Sequence, residues 1–162
     1  MKIAIISDIH DNLANFRKSL VWCRENKIKK IICCGDVTSN ETLGSLAHFA
    51  GEIYLVSGNA DFYDEAELKK YKNIIHCGRV GRVQLGDLTI GICHEPWLIE
   101  KVKEKGECDF IFYGHTHKPW QEERADTQII NPGTLSGMFL KSTFACLDLA
   151  TNNLELIIVD NL

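Results

Sequence analysis

The chain has 162 residues, 45% of them hydrophobic and 25% charged, an ordinary globular composition and enough length to bury a substantial core. A formal charge of −4 with no long basic tract disfavours a protein that tracks extended DNA or RNA. The N-terminal apolar run is too short for a signal peptide, no window is long and apolar enough to cross a bilayer, and seven cysteines without a CxxC pair read as reduced, buried thiols of a cytoplasmic protein.

In chain order, "KIAII" reads as a buried strand, a short unbroken apolar run that stops at a turn. Asn12 is placed to cap a helix in which Leu13, Phe16, Leu20 and Cys23 share one face. Lys30 through Cys34 repeats the strand pattern, and Thr38-Ser39-Asn40-Glu41 then matches a capping box. The helix it opens would turn Leu43, Leu46, Ala47 and Ala50 inward. "EIYLVSG" is a third strand. "RVQLGDLTIGIC" predicts a hairpin turning at Gly86-Asp87, followed by a helix from about Trp97 to Lys105 and a strand at "DFIFYG". The last third, through "TQIINPG", "STFACLDL" and "LELIIV", reads as strand and turn. No repeat or linker interrupts the chain, so residues 1–162 are expected to form one α/β domain, a βαβ half layered on a strand-rich half.

Five of these apolar runs end, within about three residues, in side chains that bind divalent metal. They deliver Asp8 and His10, Asp36, Asn59, His94, and finally His115 and His117. Ligands of α/β sheets collect outside the carboxyl ends of strands, so adjacent strands would bring all seven together. Mixed carboxylate, imidazole and amide donors suit manganese, iron or zinc better than calcium or an iron–sulfur cluster. Seven donors exceed what one ion uses while keeping a reactive position open; two ions sharing one carboxylate fit the count. Gly35, Gly58 and Gly114 are expected to let the backbone turn sharply beneath them.

The motifs "SDIHDN", "CGDV", "SGNAD", "CHE", "GHTHKPW" and "NPGT" resemble the calcineurin-like metallophosphoesterase superfamily, in its motif order and over nearly the whole chain. The nearest likeness is to its small single-domain YfcE-like phosphodiesterases. The resemblance implies two mixed β-sheets packed as a sandwich flanked by helices, with two metals at the strand tips. One would be held by Asp8, His10, Asp36 and His117, the other by Asp36, Asn59, His94 and His115, with Asp36 bridging. Manganese is the leading choice, with nickel, zinc or iron as alternatives.

Two such ions clamp a phosphoryl group and acidify a bridging water, so the attacking hydroxide needs no serine or cysteine nucleophile. With Asp8, Asp36 and hydroxide counted against the metals, the site keeps a charge of about +1, suited to a small phosphodiester monoanion. Many relatives carry histidine after the asparagine to protonate the leaving group. Ala60 stands there instead, which predicts weak hydrolysis of alkyl monoesters and better turnover of aryl or otherwise activated diesters. Glu95 after His94 departs from a frequent glycine and would reshape the pocket wall or repel highly anionic substrates.

Asp61 reads as a cap of the following segment or a loop brace, His48 and His76 as structural, and Cys93 as a buried core thiol. Trp97 and Trp120 read as core or rim packing, with stacking on a nucleobase or cover of a subunit contact as alternatives. The family resemblance leaves a homo-oligomer open. It also leaves an alternative, a non-catalytic metal-binding scaffold like the retromer subunit of the same fold. A nucleotide-binding module is disfavoured, because "SDIHDN" has no glycine to cradle phosphate.

Overall fold

The unbroken apolar runs become strands buried on both faces, and their alternation sorts the side chains between two cores. In the computed structural model, which describes residues 1–162, β1 (Lys2–Ile6) sends Ile3 and Ile5 to one side and Ala4 and Ile6 to the other. It is followed by α1 (Leu13–Glu25), β2 (Lys30–Cys33), α2 (Asn40–Ala47), β3 (Glu52–Leu55), α3 (Glu65–Leu68) and β4 (Ile74–His76). The hairpin β5 (Val80–Leu85) and β6 (Leu88–Cys93) pairs Leu85 with Leu88 across Gly86-Asp87. Then come α4 (Ile99–Lys103), β7 (Phe110–Phe112), β8 (Trp120–Arg124), β9 (Thr127–Asn131), β10 (Thr143–Asp148) and β11 (Asn153–Ile158).

Two mixed sheets result. The first has the order β11-β10-β1-β2-β3-β4, with β1 to β4 mutually parallel, β10 antiparallel to β1 and β11 antiparallel to β10. The second has the order β5-β6-β7-β9-β8, with β6, β7 and β9 parallel between antiparallel edges. Ile3, Ile5 and Ile32 meet Ile90, Ile92, Phe110 and Phe112 in the layer between them. Outside the first sheet, Ala4, Ile6 and Ile53 pack on Phe16 and Cys23 of α1 and Leu43 and Leu46 of α2. Outside the second, α4 lays Ile99 and Val102 on Ile111 and Ile129. Each large apolar side chain buried this way contributes about 1.5–3 kcal/mol.

The sandwich and the parallel βαβ half match the expected fold, and Asn12 caps α1 by accepting from the Asn15 N–H at 3.1 Å. Four local readings change. Ser39, not Thr38, caps α2, with Oγ accepting from the Thr42 N–H at 3.3 Å. The expected capping box does not form, because Thr42 stands at its fourth position and the Ser39 N–H donates to Asp11 Oδ1 at 3.3 Å instead. Ala50 lies beyond the helix and is exposed, and Phe49 is buried instead. The expected helix from Trp97 to Lys105 is a 3₁₀ turn at Pro96–Leu98 followed by α4. The short α3 and the edge strand β8, WQEER, have no counterpart in the apolar pattern. No helix is long and apolar enough to cross a membrane.

Candidate metal centre

The carboxyl ends of β1, β2 and β3 in one sheet and of β6 and β7 in the other open on the same edge of the sandwich. Asp8 and His10 follow β1, Asp36 follows β2, Asn59 follows β3, His94 follows β6, and His115 and His117 follow β7. All seven residues named from the sequence are brought together there. Asp8, Asp36 and His94 form the floor, at 0%, 2% and 0% exposure, while the imidazoles of His10, His115 and His117 reach the solvent side.

Their polar atoms fall into two groups. In the first, the Nε2 atoms of His10 and His117 are 3.1 Å apart, and Oδ1 of Asp8 lies 3.6 and 3.2 Å from them. In the second, Oδ1 of Asn59 is 3.0 Å from Nε2 of His94 and 2.7 Å from Nδ1 of His115. Oδ2 of Asp36 belongs to both, 3.5 Å from Nε2 of His10 and 3.2 Å from Nε2 of His94.

The tautomer of His94 is fixed. Its Nδ1 is 2.7 Å from the carbonyl oxygen of Cys34, which can only accept, so Nδ1 carries a proton and the neutral ring turns a lone pair of Nε2 toward Asn59 and Asp36. Lone pairs facing lone pairs at these distances need a proton or a cation between them. An ion about 2.1 Å from each donor sets neighbouring donors about 3.0 Å apart in an octahedron or about 3.4 Å in a tetrahedron. The donor set and its spacings therefore fit two divalent ions.

Electrostatics agree. Burial opposes ionisation of Asp8, yet its contacts with His10 and His117 hold its carboxyl far below the usual carboxylate range. Burial likewise opposes ionisation of Asp36, and His94 overcomes it. The hydrogen bond to Asp8 raises His10, and His94 is raised by Asp36 and Asp8 against the pull of burial. Metal-free, the two buried carboxylates favour the protonated forms of His10 and His94, and a cation would replace those protons.

The backbone is bent to present these groups. Asp8, His10, Asp36, His115 and His117 all have left-handed φ, at 53°, 44°, 53°, 66° and 59°. For residues with a side chain this conformation costs on the order of 1–2 kcal/mol each, and such strain persists where surrounding contacts impose it. Here they do. The Asp8 carbonyl accepts from Ser136 N–H and Thr134 Oγ, both at 2.9 Å, while Asp8 Oδ2 takes Ser7 Oγ at 2.6 Å. Asn131 donates to the Gly114 carbonyl at 2.7 Å, so the Asn131–Thr134 loop steadies both sides of the first group.

Of the three glycines expected to turn the chain, only Gly35 does so by left-handed φ, at 95°. At Gly58 and Gly114 the need is space: a Cβ there would collide with the carboxylate of Asp36 and with Ser7 and Asp8 respectively. Asp61 is the brace the sequence suggested, its carboxylate accepting from Gly58 N–H at 2.7 Å and Thr38 N–H at 3.0 Å.

Glu95 does not line the site with free charge. It is buried and paired with Arg79, with Oε2 left without a partner. Neither Arg79 nor Ser7 is named from the sequence. Ser7 stands beside a candidate ligand, and the β5–β6 hairpin, whose last pair is Val80 with Cys93, sets Arg79 beside Glu95 just past its open end. Cys93 packs among Leu98, Ile99 and Ile111, its thiol pushed up to about 12 by burial, which leaves it a core thiol. His48 bonds the carbonyl of Gly44 within its own helix, and His76 bonds Ser57, so neither joins the cluster. Trp97 stands edge to face with His115, ring centroids 5.0 Å apart, whereas Trp120 lies beneath the Lys118 ammonium.

A family model described as the calcineurin-like phosphoesterase superfamily domain matches residues 1–152. Phosphodiesterase MJ0936 of Methanocaldococcus jannaschii is 32% identical over 143 residues, 85% of this chain and 86% of its own. A solved structure of an archaeal phosphodiesterase superposes with a TM-score of 0.87 at 30% identity, covering 98% of this chain and 99% of that one. Vacuolar protein sorting-associated protein 29 of Schizosaccharomyces pombe is 26% identical over 151 residues, 85% of this chain and 73% of its own.

Proposed function

The chain belongs to the calcineurin-like phosphoesterase superfamily, and from that premise we propose that it is a metal-dependent phosphodiesterase acting on a small phosphodiester. Asp8, His10, Asp36 and His117 would hold one divalent ion, and Asp36, Asn59, His94 and His115 the other, with manganese the leading choice. Bound there, the pair supplies a Lewis-acid clamp on the phosphoryl oxygens and an acidified water for in-line displacement at phosphorus.

The chain's own residues do the rest. Cys34 fixes the His94 tautomer so that Nε2 is free to ligate. The Ala60 N–H holds Oδ1 of Asp36 at 2.8 Å, which turns Oδ2 toward both groups. Asp8 and Asp36 lie buried at the floor, and His10, His115 and His117 are partly exposed above them, so an anion would approach from the imidazole side. Ala60 has no proton to give, so a departing oxygen has to be stable as an anion; activated diesters meet that need better than alkyl monoesters.

The observation that carries this reading is the position of Asp36 Oδ2, shared between His10 at 3.5 Å and His94 at 3.2 Å. Hydrolysis of bis(p-nitrophenyl) phosphate with added Mn²⁺ tests it: turnover should appear with the unaltered protein and vanish in Asp36→Ala and His94→Ala.

A second reading is a metal-binding scaffold of the same fold. The likeness to the sorting protein favours it, as does the apolar run Met138-Phe139-Leu140, where Phe139 is 98% exposed. Metal binding without turnover of any diester would select it.

A further inference from the structure

The segment after β6 points its side chains two ways. Leu98, Ile99 and Val102 are buried against Cys93, Ile111 and Ile129 on the outer face of the second sheet. Trp97, immediately before them, is 64% exposed. Its ring meets that of His115 at 81° with centroids 5.0 Å apart. An aromatic plane is thus fixed on an anchored pedestal at the lip of the second group of candidate ligands.

Its surroundings are prepared for an anion with a flat substituent. The carboxylate of Glu95, two residues earlier, is buried against Arg79 and does not repel at the rim. Ala60, whose N–H is tied to Asp36, offers a methyl and no proton donor, which independently favours a leaving group such as an aryl oxide. Chemistry and recognition converge on an aromatic group beside the phosphorus.

Resting on the phosphodiesterase reading of this site, we infer that Trp97 is a specificity-determining residue. Its exposed face stacks on an aromatic group of the substrate, an aryl ring or a nucleobase, while the same ring packs on His115.

The test uses the full chain loaded with Mn²⁺ and two pairs of competitive inhibitors of bis(p-nitrophenyl) phosphate hydrolysis. Phenylphosphonate is set against methylphosphonate, and adenosine 5′-monophosphate against ribose 5-phosphate. In at least one pair the aromatic member should bind about tenfold more tightly. Trp97→Ala should bring that ratio close to one, and Trp97→Phe should restore part of it. The pair that responds identifies aryl or nucleobase. Tryptophan fluorescence reads the same contact without turnover: the favoured aromatic ligand should quench it saturably, and Trp97→Phe should abolish the quenching.

Equal affinities within both pairs, or a ratio unmoved by Trp97→Ala, overturn the inference. Equal weakening of both members of a pair overturns it too, since Trp97 would then merely buttress His115. Quenching by phenylphosphonate with no hydrolysis of any diester would sink the phosphodiesterase reading and leave the aromatic contact standing.

Discussion

Oδ2 of Asp36 stands 3.2 Å from Nε2 of His94, and both residues are almost wholly removed from water. With the Nδ1 proton of His94 committed to Cys34, that short approach needs a second proton or a metal ion between the two atoms. The same oxygen faces His10 at 3.5 Å, so one carboxylate touches both groups of donors. Asp36→Asn should therefore disturb both positions at once. Outer-shell changes alone cost 10–100-fold in metal affinity or activity, so loss of this ligand should cost at least about 100-fold in kcat. Metal analysis beside the activity assay checks it; an Asn variant that retains two ions and full turnover would contradict the assignment.

Protons and metal compete for the same atoms, which sets a pH dependence. His10 and His94 are raised in the folded, metal-free protein, so their contribution to stability is complete below about pH 6.5 and is lost as pH climbs through their folded values. Metal needs these rings neutral and binds better as pH rises. The gain in Tm on adding Mn²⁺ should thus grow from pH 6 to pH 8. Asp8 and Asp36 are lowered, so their contribution is present above about pH 4 and disappears as pH falls through their folded values. The metal-free protein should lose stability in that acid range. Thermal melts across pH, with and without Mn²⁺, measure both trends.

Asp61 ties the loop after β2 to the loop after β3 by accepting from Thr38 and Gly58. Hydrogen bonds to a charged group are worth about 1.5–3 kcal/mol. Asp61→Ala should cost about 2–3 kcal/mol and lower Tm by about 5–10 °C in a chain of this size. It should also loosen the position served by Asn59 more than the one served by Asp8 and His117. Titration calorimetry with Mn²⁺ resolves the two; equal weakening of both would show that Asp61 does not set the spacing of the loops.

Gly58→Ala places a methyl against the Asp36 carboxylate and backbone nitrogen, neither of which can yield without moving a ligand. The variant should keep its sheets, as seen by far-UV circular dichroism, and lose metal binding. Full metal content in this variant would mean that the carboxylate is not held where the packing puts it.

Much of this site was legible because buried strands announce themselves. "KIAII", "IICC" and "FIFY" are apolar on both faces, so each ends abruptly where a polar side chain begins, and parallel strands align those ends. What was not legible has physical reasons. β8 lies at the edge of its sheet with most residues exposed, so WQEER carries no apolar alternation. The four-residue α3 is too short to show a period. Left-handed backbone at Asp8, His10, Asp36, His115 and His117 is imposed by contacts from distant loops, such as Thr134 and Ser136 on Asp8, and has no local signal. The Arg79–Glu95 pair, by contrast, was legible in the register of the expected hairpin, since both residues lie just past the Val80–Cys93 pair. The exposed guanidinium neutralises a carboxylate that read on its own as free to repel substrate.

Anomalous diffraction from a crystal grown with Mn²⁺ tests the central claim most directly, that two cations share Asp36. Two peaks about 3.5–4 Å apart, one on each side of the Asp36 carboxylate, are expected. The first should lie among Asp8, His10 and His117, the second among Asn59, His94 and His115. A single peak, or none within reach of Asp36, would contradict the account.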